Sequence, residues 1–210
     1  MKTKQELKLY FENGDIPTQN HFWEWQDSYW HKEEKISQNS VDSIEKIIPF
    51  MINDELLGSS ISLNIPTNTK KIRSGAYPFT GMSYQITEVT FNEGLEEIGL
   101  GAFNSQNIKN IITPSTLKTI ESSAFSNQAN TINGTDSLES IKLNDGLETI
   151  GSYAFSCPRA TIIKQLFIPS SVISVGQGAF TIPSLQTVSA PIGLDLNNAG
   201  IPETAIITYR

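Results

Sequence analysis

Apolar and polar positions follow a frame that recurs five times, anchored on Ile72, Ile98, Ile120, Ile150 and Val175, at intervals of 22 to 30 residues. Five residues after each anchor stands an aromatic, Tyr77, Phe103, Phe125, Phe155 and Phe180, always preceded by alanine: Ala76, Ala102, Ala124, Ala154 and Ala179. Three residues before the anchor lie Thr69, Leu95, Leu117, Leu147 and Val172; seven before, Ile65, Phe91, Thr113, Leu143 and Ile168; nine before, Leu63, Val89, Ile111, Ile141 and Leu166. With the position twelve before (Ser60, Ile86, Ile108, Leu138, Ile163), this is an L-x-x-L-x-L spacing. Its last two apolar residues alternate, as a half-buried strand requires. Each repeat therefore opens with a short strand and lines up one apolar face, which only neighbouring repeats can cover.

Two kinds of turn end these strands. One is proline with a hydroxyl residue (Pro66-Thr67, Pro114-Ser115, Pro169-Ser170); the other is Asn-acid-Gly (Asn92-Glu93-Gly94, Asn144-Asp145-Gly146). Proline lacks the donor a ladder needs, and glycine tolerates positive φ. The register fades through Leu185, Val188, Ala190, Pro191 and Leu194 and is abandoned at Asp195-Leu196-Asn197-Asn198-Ala199-Gly200, so residues 195–210 are expected to form a C-terminal cap. Within it, Ala205-Ile206-Ile207-Thr208-Tyr209 predicts a last strand. Ser126 to Ser137, rich in Asn, Thr and Gly, is expected as a loop inserted between the third and fourth repeats.

Residues 1–48 have a different, helical pattern. Thr3-x-x-Glu6 has the form of a capping box before Leu7, Tyr10 and Phe11, and Asn13-Gly14 supplies a stop. Thr18 caps a second helix expected to run from Phe22 to Trp30. All three tryptophans lie in this region, with Phe22, Trp25 and Tyr29 on one stripe and Trp23 and Trp30 on another. Two short helices do not bury both stripes against each other. Either one stripe meets another molecule, making Phe22, Trp23, Trp25, Tyr29 and Trp30 attachment residues, or both pack on the first repeat as a cap. Residues 49–59 read as a linker or N-terminal cap.

Charge and composition narrow the function. Fifteen Lys plus Arg stand against 22 Asp plus Glu, a net charge of −7 and a pI near 4.9. Without a cationic cluster, a nucleic-acid partner is not expected. The apolar runs are far shorter than the roughly 20 residues of a membrane span. Leu7, Lys8, Tyr10 and Glu12 after the first lysines do not make a secretory signal, so the product is expected to be soluble and to stay in the cell that makes it. Two histidines and one cysteine do not build a zinc site. His31 beside Glu33 and Glu34 reads as a solvated or intersubunit charge pair, His21 as a packing residue, and Cys157 as a buried thiol. No phosphate-binding glycine motif, metal site or catalytic constellation is present, and no cofactor is implied. Gly99, Gly101, Gly176 and Gly178 are explained by turn geometry. The outward strand positions, ten and eight before each anchor, include Glu88, Asn110, Ile112, Lys142, Gln165 and Phe167. They form a candidate ligand face, with Ile112 and Phe167 as its apolar anchors.

The frame is most nearly intact at Ile168-Pro169-Ser170-Ser171-Val172-Ile173-Ser174-Val175-Gly176-Gln177-Gly178-Ala179-Phe180, and it resembles the BspA-type leucine-rich repeats from about Leu63 to Leu194. The resemblance implies, over residues 60–194, a right-handed solenoid with a parallel β-sheet, serving adhesion or protein binding and not catalysis; with the short N-terminal helices read above, the chain is expected to be α+β. A second resemblance covers about Thr3 to Ile48. The string Phe11-Glu12-Asn13-Gly14-Asp15-Ile16-Pro17-Thr18, followed by Phe22-Trp23-Glu24-Trp25-Gln26-Asp27-Ser28-Tyr29-Trp30-His31-Lys32-Glu33-Glu34-Lys35-Ile36, is similar to an N-terminal module of fibre and appendage subunits of tailed phages infecting Bacteroidetes, including crAss-like phages. That resemblance implies a virion structural protein made in the host cytoplasm. Its partners would be other virion proteins, further copies of itself and a host-surface protein or glycan. The competing expectation is a bacterial adhesion or scaffold protein outside any virion.

Overall fold

The structure is a computed structural model and describes residues 6, 8–11, 14, 16–27, 46–52, 55–78, 84–127 and 138–210. It divides into Met1–Asp42 and Ser43–Arg210. In the first unit, Leu9–Phe11 form a 3-10 turn and Gln19–Asp27 form helix α1. Thr18 starts α1: the His21 N–H donates to its Oγ1 (3.4 Å), and its own N–H donates to His21 Nδ1 (3.3 Å). That is a capping box with histidine where Glu or Gln usually stands. The His21 ring also stacks on Tyr10 at 4.1 Å, and the Tyr10 hydroxyl donates to Glu24 Oε2 at 2.5 Å. His21 thus both packs on Tyr10 and closes the cap with Thr18. Thr3, residues 28–30 and His31 lie outside the described residues.

The second unit opens with a hairpin. Strand β1 (Lys46–Ile52) runs antiparallel to β2 (Glu55–Asn64), with Pro49 opposite Ser59 and a bulge at Phe50/Met51. Residues 46–48 are therefore strand where a helical segment was expected, and in the stretch read as a linker or N-terminal cap residues 49–52 and 55–59 belong to β1 and β2. The cause is non-local: β2 also pairs in parallel with β4 (Tyr84–Thr90), so its edge is completed from the next coil.

From β2 onward each coil contributes to two ladders. The first carries the anticipated strands: β2 with β4, then β6 (Asn110–Ile112) with β8 (Ser140–Lys142), then β10 (Gln165–Phe167) with β12 (Thr187–Ala190) and β13 (Ile206–Tyr209), all parallel. The second ladder was not anticipated. It joins β3 (Lys71–Ile72), β5 (Glu97–Ile98), β7 (Thr119–Ile120), β9 (Thr149–Ile150) and β11 (Ser174–Val175) in an unbroken parallel sheet through the anchors themselves. The anchor segment is thus itself sheet.

A third set of backbone bonds sets the interior. The N–H of each frame aromatic donates to the carbonyl of the alanine one coil on: Tyr77 to Ala102 (2.7 Å), Phe103 to Ala124, Phe125 to Ala154 and Phe155 to Ala179 (2.8 Å each). This fixes the coil spacing, and the rings stack in one column with centroids 5.5, 5.3, 5.4 and 5.7 Å apart and planes within 15°. Phe91 meets Phe103 and Phe125 edge-on at 5.9 and 6.2 Å. Ala102, Ala124, Ala154 and Ala179 are fully buried, whereas Ala76 in the first coil is exposed. Cys157 is buried, its Sγ 3.6 Å from the Phe125 carbonyl.

Two expectations about irregular segments change. Ser126 and Asn127, assigned to the inserted loop, are buried rungs: Ser105 N donates to Ser126 O (2.7 Å) and Asn127 N to Ser156 O (2.9 Å). Residues 128–137 lie outside the described residues. At the C-terminus the frame does not stop at Asp195, because Phe180 N still donates to Ala199 O (2.7 Å). Gly200 then stands where a sixth aromatic would be, at φ 79°, with a would-be Cβ 2.5 Å from Thr181 Oγ1. The column ends there because no ring fits. The last strand expected over residues 205–209 is present as β13.

The two turn types alternate along the stack and interlock. Asn92 Nδ2 donates to the carbonyls of Thr67 (3.1 Å) and Thr69 (3.0 Å), and Asn144 Nδ2 donates to the Thr113 carbonyl. On the other side, Gly94 N donates to Thr116 Oγ1 (2.9 Å) and Gly146 N to Ser171 Oγ (3.0 Å), while those hydroxyls donate to the carbonyls of Leu95 (2.9 Å) and Leu147 (2.7 Å). Each Asn-acid-Gly turn thus reaches back to one Pro turn and is clasped by the next.

Candidate functional site

The two ladders present opposite chemistry to solvent. Beside the unbroken ladder, charged residues alternate in sign and close on themselves. Lys70 meets Glu96 at 3.7 Å, Lys71 meets Glu97 at 2.5 Å, and Lys118 meets Glu148 at 3.1 Å. The hydrogen bond between Lys71 and Glu97 raises the Lys71 ammonium above its usual pKa and lowers the Glu97 carboxyl below its own. Such pairs add little stability in water. Their consequence here is that these six charges are paired with one another.

The other ladder displays groups it does not neutralise. Alternation points the neighbours of each buried residue outward. Ile111, Ile141 and Leu166 are buried, while Asn110, Ile112, Lys142, Gln165 and Phe167 are exposed. Ile112 and Lys142 are direct partners across β6 and β8, as are Asn110 and Ser140, whose hydroxyl donates to Asn110 Oδ1 at 2.6 Å. Gln165 and Phe167 stand together on β10. Glu88 lies apart on β4, opposite Ser62. Ile112 and Phe167 are each 53% exposed, and other large apolar side chains are exposed too, among them Ile173 (76%) beside the second ladder. Among the described residues no ion pair engages Lys142 or Glu88.

Sequence reasoning missed Arg210 and the cleft. The Arg210 guanidinium lies 3.9 Å over the Phe167 ring, donating from Nε to Ser189 Oγ (2.9 Å) and from Nη2 to the Ile168 carbonyl (2.6 Å). Only the parallel pairing of β12 with β13 brings the C-terminal residue to Phe167. Extending the ten-and-eight spacing to Thr187 and Ser189 would have found the neighbouring rung. Between β8 and β10 no backbone hydrogen bond forms among the described residues, although the same coils remain joined across β9 and β11. A cleft of about 360 Å³ opens there, lined by Ile141, Lys142, Leu143, Asn144, Asp145 and Phe167.

In the N-terminal unit, α1 exposes Phe22 (48%), Trp23 (53%) and Trp25 (43%); Tyr29 and Trp30 lie outside the described residues. Among the described residues no group of three or more His, Cys, Asp or Glu is placed to hold a metal ion, and no helix is long and apolar enough to cross a membrane.

Coils of this length, with two parallel ladders and an aromatic column, define a leucine-rich-repeat solenoid. The BspA-type leucine-rich repeat region matches in six copies over residues 55–135 and 128–200, and the chain belongs to that family. No curated protein matches the sequence. Among solved structures, the leucine-rich-repeat protein TpLRR of T. pallidum is similar at 20% identity over 77% of this chain and 78% of its own, with a TM-score of 0.53. The pneumococcal vaccine antigen PcpA (20% identity, TM-score 0.46) and a leucine-rich-repeat protein of Bacteroides ovatus ATCC 8483 (24%, TM-score 0.42) match over 73% and 69% of this chain. The chain spans 49% and 40% of those two proteins.

Proposed function

We propose that this chain is a non-catalytic recognition protein of a phage virion. Its first ladder face binds a host-surface partner, and its N-terminal segment attaches it, as a homo-oligomer, to other virion proteins. The observation that carries the recognition role is the difference in charge pairing between the faces: Lys70, Lys71 and Lys118 are ion-paired across the second ladder, whereas Lys142, beside Ile112 and near Phe167, has no ion pair among the described residues. Exposed aromatic side chains such as Phe167 are enriched at contact surfaces, with polar groups at their rim. The attachment role rests on the exposed aromatics of α1 and on the likeness of Phe11 to Ile36 to phage fibre and appendage subunits.

Truncation tests the division of labour. Because β1 begins at Lys46, the cut belongs at Ser43 and not inside the strand. The fragment 43–210 is expected to keep its strand circular dichroism and its binding to Bacteroidetes cells while losing self-association and incorporation into particles. A fragment that still enters particles contradicts the attachment role. For the face, Ile112→Glu is expected to abolish cell binding without loss of fold, and undiminished binding contradicts the recognition role.

A further inference from the structure

The cleft between β8 and β10 has a composition that narrows the ligand, given the reading of that face as the recognition surface. Its volume of about 360 Å³ falls at the small end of ligand sites, which run from roughly 300 to 1,000 Å³. Phe167 supplies an aromatic wall, and Arg210 holds that ring through a cation–π contact and two hydrogen bonds of its own. Lys142 and Asp145 line the same opening, one a donor and the other an acceptor, so their formal charges cancel. The Asn144 amide is fixed by its bond to the Thr113 carbonyl. Backbone groups join in. Ser140 N and Lys142 O bond toward β6, so the intervening Ile141 N–H and C=O point toward β10, where no backbone partner meets them among the described residues.

An aromatic wall with donors and acceptors at its rim, and with one cation and one anion among its lining residues, suits a neutral polyhydroxylated ring. The polarised C–H groups of a pyranose stack on the negative face of an aromatic ring. Adjacent hydroxyls then accept from Lys142 and donate to Asp145, and others meet the open Ile141 backbone. We propose that this cleft binds a single pyranose unit of a neutral host-surface glycan.

The test is an amide NMR titration of the full chain with methyl glucoside, methyl mannoside, methyl galactoside and N-acetylglucosamine, beside a tetra-aspartate peptide. At least one neutral sugar is expected to shift the amides of Ile141 to Asp145 and of Phe167 saturably at millimolar concentration. Phe167→Ala should weaken it about tenfold, and Asp145→Ala several-fold, with the remaining spectrum unchanged. The inference is overturned if no sugar gives a saturable shift at the cleft up to about 50 mM, or if Phe167→Ala binds equally well. It is also overturned if the aspartate peptide binds the cleft and the sugars do not, a result that leaves the recognition face standing. Undiminished cell binding by Ile112→Glu would instead remove the face itself.

Discussion

Phe125→Ala probes the interior where it is most shared. The ring is 4% exposed, lies between Phe103 and Phe155 at 5.3 and 5.4 Å with planes only 2° and 8° off parallel, and meets Phe91 edge-on at 6.2 Å. Emptying a buried phenylalanine site costs about 3–5 kcal/mol. The upper half of that range is expected here, because the flanking coils are pinned by the Phe103–Ala124 and Phe155–Ala179 backbone bonds and do not close over the cavity. Loss of two stacked contacts, each worth about 0.5–1.5 kcal/mol, works in the same direction. Tyr77→Ala is the internal control. Tyr77 sits at the column's end, is half-buried and has one stacking partner, so about 1–2 kcal/mol is expected. Urea unfolding should be followed by far-ultraviolet circular dichroism, because all three tryptophans lie in the first 31 residues and fluorescence would report the other unit. A loss below about 1 kcal/mol for Phe125→Ala, or a larger loss for Tyr77→Ala, would refute the shared column.

Backbone geometry and charge give three further tests. The residue three after each anchor has positive φ in all five coils, including Ser123 at 56° and Tyr153 at 57°, where glycine serves elsewhere. Ser123→Gly should therefore raise the urea midpoint, a gain of about 0.5–1 kcal/mol from relieved backbone strain less glycine's own entropy. Gly146 (φ 108°) and Gly94 (φ 103°) occupy matching turns, but a Cβ at Gly146 would overlap the Ser115 carbonyl, whereas at Gly94 its nearest neighbour is Asn92 Nδ2 at 3.6 Å. Gly146→Ala should cost about 2–3 kcal/mol and Gly94→Ala about 1 kcal/mol in the same melt; equal losses would remove the close approach as the cause. Glu97, lowered chiefly by its hydrogen bond to Lys71, should titrate by carbon NMR below the ordinary carboxylate range and shift upward in Lys71→Met. Its stabilising effect is present above the unfolded-state carboxylate pKa and is lost as pH falls through the lowered value. That of Lys71 is present below the ordinary lysine pKa and lost as pH rises through the raised one.

The column was legible because one ring recurs five residues after each anchor, and the exposed face because strand residues alternate with period two. The second ladder was not, since strands of two residues, such as Thr119–Ile120, are too short to alternate and owe their pairing to the next coil. The β1–β2 hairpin escaped for a similar reason: Ile47 to Ile52 is an apolar run with a proline inside, and its partner Ser59 lies in a stretch with no strand pattern of its own. Asn92 and Asn144 were read as turn residues, but their amides reach back to Thr67, Thr69 and Thr113 across a coil, a role that spacing alone does not reveal. The cleft depends on two strands that fail to pair, and Arg210 reaches Phe167 through tertiary pairing far along the chain.

The account turns on the division between a face that satisfies itself and a face that recognises. The most direct test compares two double variants for binding of the labelled full chain to intact Bacteroidetes cells. Lys142→Glu with Phe167→Ser alters the open face, and Lys118→Glu with Glu148→Lys exchanges an ion pair on the closed one. The account predicts that the first pair abolishes binding and the second leaves it at the unsubstituted level. Equal loss from both, or loss from the second alone, would contradict it.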